Sequence, residues 1–246
     1  MIKFFRRIRQ QLLSEGNTTK YLKYAIGEII LVVIGILIAL QINNWNETRK
    51  DKLKETSYLQ DLKLDLVNCQ KELDRVIKKT NRTKNCATEA IKIITLKSKT
   101  KDEANLDYLL IGADSHSIFS STEGVINDIL SSGKLDLIQN ENIRTYVSGW
   151  KANLSNLRGW ESVSLKSFDN FGEILSNVVD FTKYMDGKAL IPEENKVIVF
   201  KNLKFRNLLD NQRHSNNRLN GVYQEKKIEI DSIINLIKIE LKKHIY

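Results

Sequence analysis

Apolar residues form one unbroken stretch near the N-terminus and recur at helical spacing over much of the remaining chain. The unbroken stretch occupies residues 24–42, and only Glu28 and Gln41, near its two ends, are strongly polar. As a helix these 19 residues span about 28 Å, close to the ~30 Å hydrocarbon thickness of a bilayer. The pattern therefore predicts a transmembrane helix at 24–42, which separates a tail at 1–23 from a domain at 43–246.

Beyond this span, apolar positions recur at alternating spacings of three and four, the pattern of one face of a long helix. The first such helix is expected to continue to about residue 96. Its stripe is weakest at the centre, where Thr80 and Thr83 are polar, and it could pack within the chain or in a parallel dimer. The stripe consists of Leu59, Leu62, Leu66, Cys69, Leu73, Val76, Thr80, Thr83, Ala87, Ala90 and Ile94.

The same spacing predicts two more long helices, at 141–181 and 203–244. Glu161 and Ser164 interrupt the apolar phase of the former. Its aromatic residues are expected to fill the core, with a ligand cleft as the alternative. They are Trp150, Trp160, Phe168 and Phe171.

Shorter elements are predicted between the long helices. Residues 98–103 form a charged loop and 106–111 a short helix. Another helix opens at Thr122 and is ended by Gly133 in a left-handed conformation, while 196–200 form an extended segment. Because the chain has only 11 Gly and one Pro, we expect an all-α fold: one transmembrane helix followed by an elongated antiparallel helical bundle with long amphipathic helices.

The formal net charge of +9 is concentrated beside the predicted span. Residues 1–24 contribute +5, which leaves +4 for residues 25–246. Basic residues next to a span bind anionic head groups, so the charge indicates membrane lipids as partners rather than nucleic acid. The tail could lie in the head-group region as a short amphipathic helix or serve only to set orientation.

The span is predicted to be an anchor rather than a cleaved signal peptide, because it begins 24 residues in and no small-x-small cleavage site follows it. Six basic residues precede it, which favours a cytoplasmic N-terminus and a domain outside the cytoplasm. Four basic residues that follow it closely offset most of this bias: Arg49, Lys50, Lys52 and Lys54.

One stripe of the predicted span carries the candidate helix-packing residues Glu28, Gly35 and Ala39. Gly35 and Ala39 form a small-xxx-small pair, which lets two helices approach closely. Glu28 lies about one turn inside the bilayer, where an acid marks a functional position unless it reaches the head groups and pairs there. The two ends of the span carry candidate interfacial anchors: Tyr21, Tyr24 and Trp45.

Cys69 and Cys86 are expected to be free thiols. On one continuous helix they lie ~25 Å apart, whereas a disulfide needs Cα atoms within ~7 Å of each other. A break in the helix or an intermolecular bond is the alternative.

No enzyme, cofactor or metal pattern emerges. His116, His214 and His244 have no second ligand at metal spacing. The run 114–117, DSHS, contains nucleophile and base types, but adjacency in sequence does not make a triad. A nucleophile elbow, a glycine-rich dinucleotide loop and an HExxH motif are absent. We therefore expect no catalytic, cofactor-binding or metal-binding residues and no enzymatic activity.

The run YAIGEIILVVIGILIALQINNWNE, preceded by IKFFRRIRQQLL, resembles an uncharacterised family of single-pass proteins from Gram-negative bacteria, Domain of Unknown Function 6090. The resemblance extends to STEGVINDILSSGKLDLIQNENIR at 121–144 and FKNLKFRNLL at 200–209. It implies a bacterial inner-membrane anchor followed by a helical, periplasmic domain, and it brings no assigned activity.

The expected role is interaction. We expect a membrane-tethered scaffold or accessory subunit that binds another membrane or envelope protein or itself. The alternative is an extracytoplasmic ligand-binding or sensory domain that acts through a membrane partner.

Overall fold

The computed structural model describes residues 18–96, 105–186 and 190–243, and these residues are all-helical. The expectations for the tail at 1–17, for the 98–103 loop and for His244 lie outside the described residues. Within the described residues there are six α-helices, and short 3₁₀ helices lie between α3 and α4 and between α4 and α5. They are α1 (Thr18–Leu96), α2 (Leu106–Ala113), α3 (Gly124–Ser131), α4 (Glu141–Ser176), α5 (Lys196–Lys201) and α6 (Leu203–Lys243).

The chain divides into two compact units, Met1–Lys54 and Glu55–Tyr246. In the first unit, six consecutive apolar residues at 29–34 cover almost two helical turns, and all of them are exposed. By length and composition α1 contains one segment apolar enough to cross a membrane, and none of that segment is buried. The apolar surface of this unit therefore surrounds the helix.

The second unit, which we call the helical unit, is built on α1, α4 and α6. Gln70 of α1 donates to Asp231 of α6 (2.5 Å), and Asn220 of α6 donates to the carbonyl oxygen of Ile77 (2.8 Å). Ascending positions on α1 thus meet descending positions on α6, so the two helices are antiparallel.

Helices α4 and α6 are also antiparallel. Asn140, the N-cap of α4, donates to Glu240 (2.8 Å), and Tyr223 donates to Glu161 (2.8 Å). Both α1 and α4 are therefore antiparallel to α6 and run in the same direction as each other.

The core confirms the stripe predicted for α1, and the structure describes this helix as far as Leu96. Every residue of that stripe, including Thr80 and Thr83, is at most 3% exposed. On α6, the buried residues include Leu219, Tyr223 and Ile237. Burying an apolar side chain of this size stabilises the fold by about 1.5–3 kcal/mol, so the repeated three–four spacing explains why these helices pack.

A buried polar layer divides the core into two apolar clusters. On α1 the first cluster covers 59–76 and the second 87–94. On α4 the first cluster extends to Leu157 and the second begins at Phe171, and on α6 the second cluster extends to Leu209 and the first begins at Leu219. Each polar residue at this level is at most 5% exposed. The polar layer consists of Thr80, Thr83, Glu161, Ser164, Gln212, Asn216 and Asn220.

One predicted element and two predicted helix boundaries differ from the structure. The extended segment at 196–200 is wrong, because Lys196–Lys201 is a helix that buries Val199 in the second cluster. Tertiary packing has overridden the β-branched composition of VIV at 197–199. Helix α3 begins at Gly124 rather than Thr122, and α4 ends at Ser176. The left-handed conformation of Gly133 is confirmed, with φ of 67°.

Candidate functional site

The surface around Gly35 and Ala39 is open. Both residues are exposed, and a Cβ built on Gly35 meets no other atom within 4 Å. Glu28 is half-buried on the same stripe. The backbone beside Gly35 therefore has room for the close approach of another helix, and helix packing at this stripe stays a prediction.

The candidate anchors lie at the two ends of the apolar segment. Tyr24 is exposed, and Trp45 is 67% exposed. The Arg49 guanidinium carbon lies 6.0 Å from the Trp45 ring centroid, within cation–π range. The side chain of Tyr21 lies outside the described residues. An exposed Trp beside an Arg suits a head-group boundary, and this role also stays a prediction.

Glu161 is the centre of a buried cluster of hydrogen bonds, and its own side chain is only 5% exposed. Its Oε1 accepts hydrogen bonds from the Phe119 backbone N–H (2.7 Å) and the Tyr223 hydroxyl (2.8 Å). Its Oε2 accepts one from Arg158 Nη1 (2.6 Å), which also donates to the Phe119 carbonyl oxygen (2.7 Å). The buried carboxylate is thus neutralised by one cation and two further donors.

Tyr223 is held as a hydrogen-bond donor. Burial raises the pKa of its hydroxyl, and the negative charge of Glu161 raises it further. Its oxygen also lies 3.1 Å from the Ser117 carbonyl oxygen. The protonated phenol therefore joins α6 to Glu161 of α4.

The segment between α2 and α3, residues 114–123, is fixed to all three long helices through its backbone. Phe119 is bound by Glu161 and Arg158 of α4, as described above. The remaining contacts come from α1 and α6: Gln212 to Ser115 O (3.0 Å), Arg75 to Ile118 O (3.3 Å), Ser120 N to Glu72 (3.3 Å) and Thr122 N to Cys69 Sγ (3.4 Å). The cluster around Glu161 therefore positions this segment on the bundle.

In the sequence, Glu161 is visible only as an interruption of an apolar stripe. A carboxylate on the buried face of a helix needs hydrogen-bonding partners, so an acid at this position of the stripe could have indicated a buried polar cluster. Arg158 and Tyr223 give no such signal, because an Arg three residues earlier and a Tyr on a core stripe are common in helices.

The residue types that suggested chemistry lie in separate surroundings in the part of the chain that the structure describes. His116 packs against Phe168, with 4.6 Å between ring centroids, and Ser117 Oγ is buried without a hydrogen-bond partner. His214 Nδ1 lies 3.3 Å from Asp210. The described ranges contain no group of three or more His, Cys, Asp or Glu that could hold a metal ion.

The aromatic residues of α4 divide between core and surface. Trp150 and Phe171 are buried, each in a different apolar cluster. Trp160 is half-buried, and the Arg218 guanidinium carbon lies 5.0 Å from its ring centroid. They therefore do not line one common cleft.

Cys69 and Cys86 are free thiols, as predicted, and Cys69 is buried while Cys86 is partly exposed. Burial raises the pKa of the Cys69 thiol, which lowers its thiolate fraction. We expect maleimide to label Cys86 in the native protein and to label Cys69 only in denaturant. Intact-mass spectrometry of the wild type, with Cys86→Ala as the control, measures this. Rapid native labelling of the Cys86→Ala variant would contradict the burial of Cys69.

Asp114 carries an unfavourable buried charge. Its Oδ1 has no hydrogen-bond partner, and burial raises the pKa of its carboxyl from 3.8 to about 6. The unfolded chain ionises this group near pH 4, so the folded state loses stability as pH rises from about 4 to 6. Asp114→Asn should therefore raise the free energy of unfolding at pH 8 by about 1–2 kcal/mol. Urea titrations at pH 8 and pH 4 test this, and an equal effect at both pH values would exclude ionisation as the cause.

Fold and site together define an all-helical protein whose first helix carries an exposed apolar segment and whose bundle fixes an internal segment through buried polar side chains. The model of a family of unknown function, DUF6090, matches residues 28–158, more than half of the chain. The chain belongs to the DUF6090 family, and the matched region includes most of the apolar segment, from residue 28 onward, together with the 114–123 segment and Arg158. Searches of curated proteins and of solved structures give no match to the chain.

Proposed function

We propose that this protein is anchored in the bacterial inner membrane by the apolar segment of α1, with its N-terminus in the cytoplasm and the helical unit in the periplasm. A helix that is apolar on all sides is stable when it is buried in protein or surrounded by lipid. The exposure of every residue at 29–34 is the observation that carries the proposal. The basic residues before the span support the orientation.

The role that we propose for the anchored protein is interaction, as a scaffold or accessory subunit for another envelope protein or for a second copy of itself. The open backbone beside Gly35 supports contact between spans, because small residues permit close packing in lipid. The charged and polar groups of the Glu161 cluster are used internally, which favours an interaction role over catalysis.

Self-association of the span is tested with Gly35→Ile in a membrane two-hybrid assay. We expect a loss of signal, because the added side chain prevents close approach of the helices. Val33→Phe is the matched control, since it adds similar bulk on the opposite side of the same helix. Equal signals from both variants and the wild type would indicate that this stripe faces lipid.

Association with other envelope proteins is tested by crosslinking in intact cells, followed by gentle detergent extraction and mass spectrometry. We expect one reproducible crosslinked product that contains this chain and either a second copy or one particular envelope protein. Recovery of the protein only as an uncrosslinked monomer would contradict the scaffold role. A metabolite that stabilises such a monomer in a thermal-shift screen would favour the sensory alternative.

A further inference from the structure

A cavity of about 220 Å³ opens between α1 and α6 within the helical unit. It is lined by Lys84, Thr88, Arg213, His214 and Asn217. The lining contains no aliphatic side chain and no carboxylate, and each of its side chains can donate a hydrogen bond. The cavity therefore matches a polar, negatively charged ligand and does not match an apolar one.

Two of these donors carry a positive charge. Lys84 is half-buried and makes no ion pair with any residue that the structure describes. Arg213 donates from Nη2 to Asp210 (2.7 Å), which fixes the guanidinium in the lining. An anion in the cavity would therefore meet one charged donor that has no carboxylate partner and a second that is already held in place.

The helix segments on both sides of the cavity are strongly basic. Residues 77–96 contain five Lys or Arg and one acid, and residues 201–218 also contain five Lys or Arg and one acid. The acid of the second segment is Asp210, whose carboxylate already binds Arg213 and His214. The local excess of positive charge therefore attracts anions. The Asp210 carboxylate, which is the one acid within 201–218, fixes the orientation of the Arg213 side chain.

We propose that this cavity binds a phosphate-type oxyanion, either free or carried as a phosphate ester on a small molecule. A tetrahedral oxyanion accepts hydrogen bonds from several directions, and Arg and Lys side chains are its usual partners in proteins. At ~30 Å³ per water molecule the cavity has the volume of roughly seven waters. That volume accommodates orthophosphate together with a small attached group. The site lies within the helical unit and is independent of the proposed membrane anchoring.

The experiment measures binding to the full-length protein in mild detergent. Orthophosphate and glucose 6-phosphate are titrated by calorimetry at constant ionic strength set with chloride. Lys84→Ala and Arg213→Ala should each weaken binding about tenfold, because each removes a charged hydrogen-bond donor. Arg213→Lys should also weaken binding, because it keeps the charge and loses the planar fork. The unfolding midpoint of each variant verifies that it is folded.

The matched control is the double variant Lys78→Ala/Arg218→Ala, compared with Lys84→Ala/Arg213→Ala. Both remove one positive charge from α1 and one from α6, but the control residues lie outside the cavity lining. We expect the control to keep wild-type affinity. Binding of orthophosphate alone identifies a free-anion site, and tighter binding of the ester identifies a site for phosphorylated molecules. The proposal is overturned if neither ligand binds the wild type, or if the two double variants lose affinity equally.

Discussion

Replacing Glu161 by Ala is expected to lower the free energy of unfolding by about 3 kcal/mol. The substitution leaves the Phe119 N–H and the Tyr223 hydroxyl without their acceptor, and it removes the partner of Arg158. Breaking a buried ion pair costs about 3–5 kcal/mol when the remaining charge stays buried. The Arg158 side chain is 41% exposed and can reach water, so we expect the lower end of that range.

Urea unfolding followed by circular dichroism measures the effect on the full-length protein. The matched control is Glu173→Ala, which removes an exposed carboxylate from the same helix and should change the free energy of unfolding by less than about 0.5 kcal/mol. Tyr223→Phe should cost about 1 kcal/mol, since it deletes one hydrogen bond and leaves the ion pair intact. If Glu161→Ala and Glu173→Ala had equal effects, Glu161 would not hold the 114–123 segment.

The double substitution Ile34→Asp/Leu37→Asp is expected to abolish membrane insertion of the apolar segment. An Asp near the centre of a membrane helix costs about 2.5–3.5 kcal/mol. Two such residues therefore oppose insertion by about 5–7 kcal/mol, which shifts the distribution between membrane and water by several orders of magnitude. Both positions are exposed in the structure, so the substitutions should leave the buried core of the helical unit unchanged.

Cell fractionation with an antibody to the protein measures the distribution of this variant. Ile34→Leu/Leu37→Ile is the matched control, because it rearranges side chains at the same positions without adding charge, and it should fractionate with membranes as the wild type does. A double-Asp variant that remained in the membrane fraction would show that the segment is not what holds the protein there.

The buried stripe of α1 was predictable from the sequence because helical periodicity alone determines which of its residues share a face. Its apolar residues recur every three or four positions, and a helix places such residues on one face. The same rule places Thr80 and Thr83 on the buried face, and both are buried.

The polar layer was not predicted, because it depends on which levels of different helices meet. Thr80 on α1, Glu161 on α4 and Asn220 on α6 are far apart in the sequence. Only the antiparallel pairing of α6 with the other two helices brings them to one level, where Asn220 donates to Thr80 Oγ1 (2.7 Å). Single-helix periodicity contains no information on this register.

The short helix α5 shows a second limit of local reasoning. Val197, Ile198 and Val199 are β-branched residues that favour strands, yet they lie in a helix. The chain here has no neighbouring strand to pair with in the described residues, and Val199 is buried by the second apolar cluster. Tertiary packing therefore determines this element.

In the proposed function, the apolar segment at 24–42 holds the protein in a lipid bilayer. Sedimentation of lysed cells at high speed, followed by an alkaline carbonate wash of the pellet, tests it most directly. We expect full-length protein to stay in the washed pellet and to be released by detergent. Recovery of the protein in the first supernatant, with no detergent added, would contradict it.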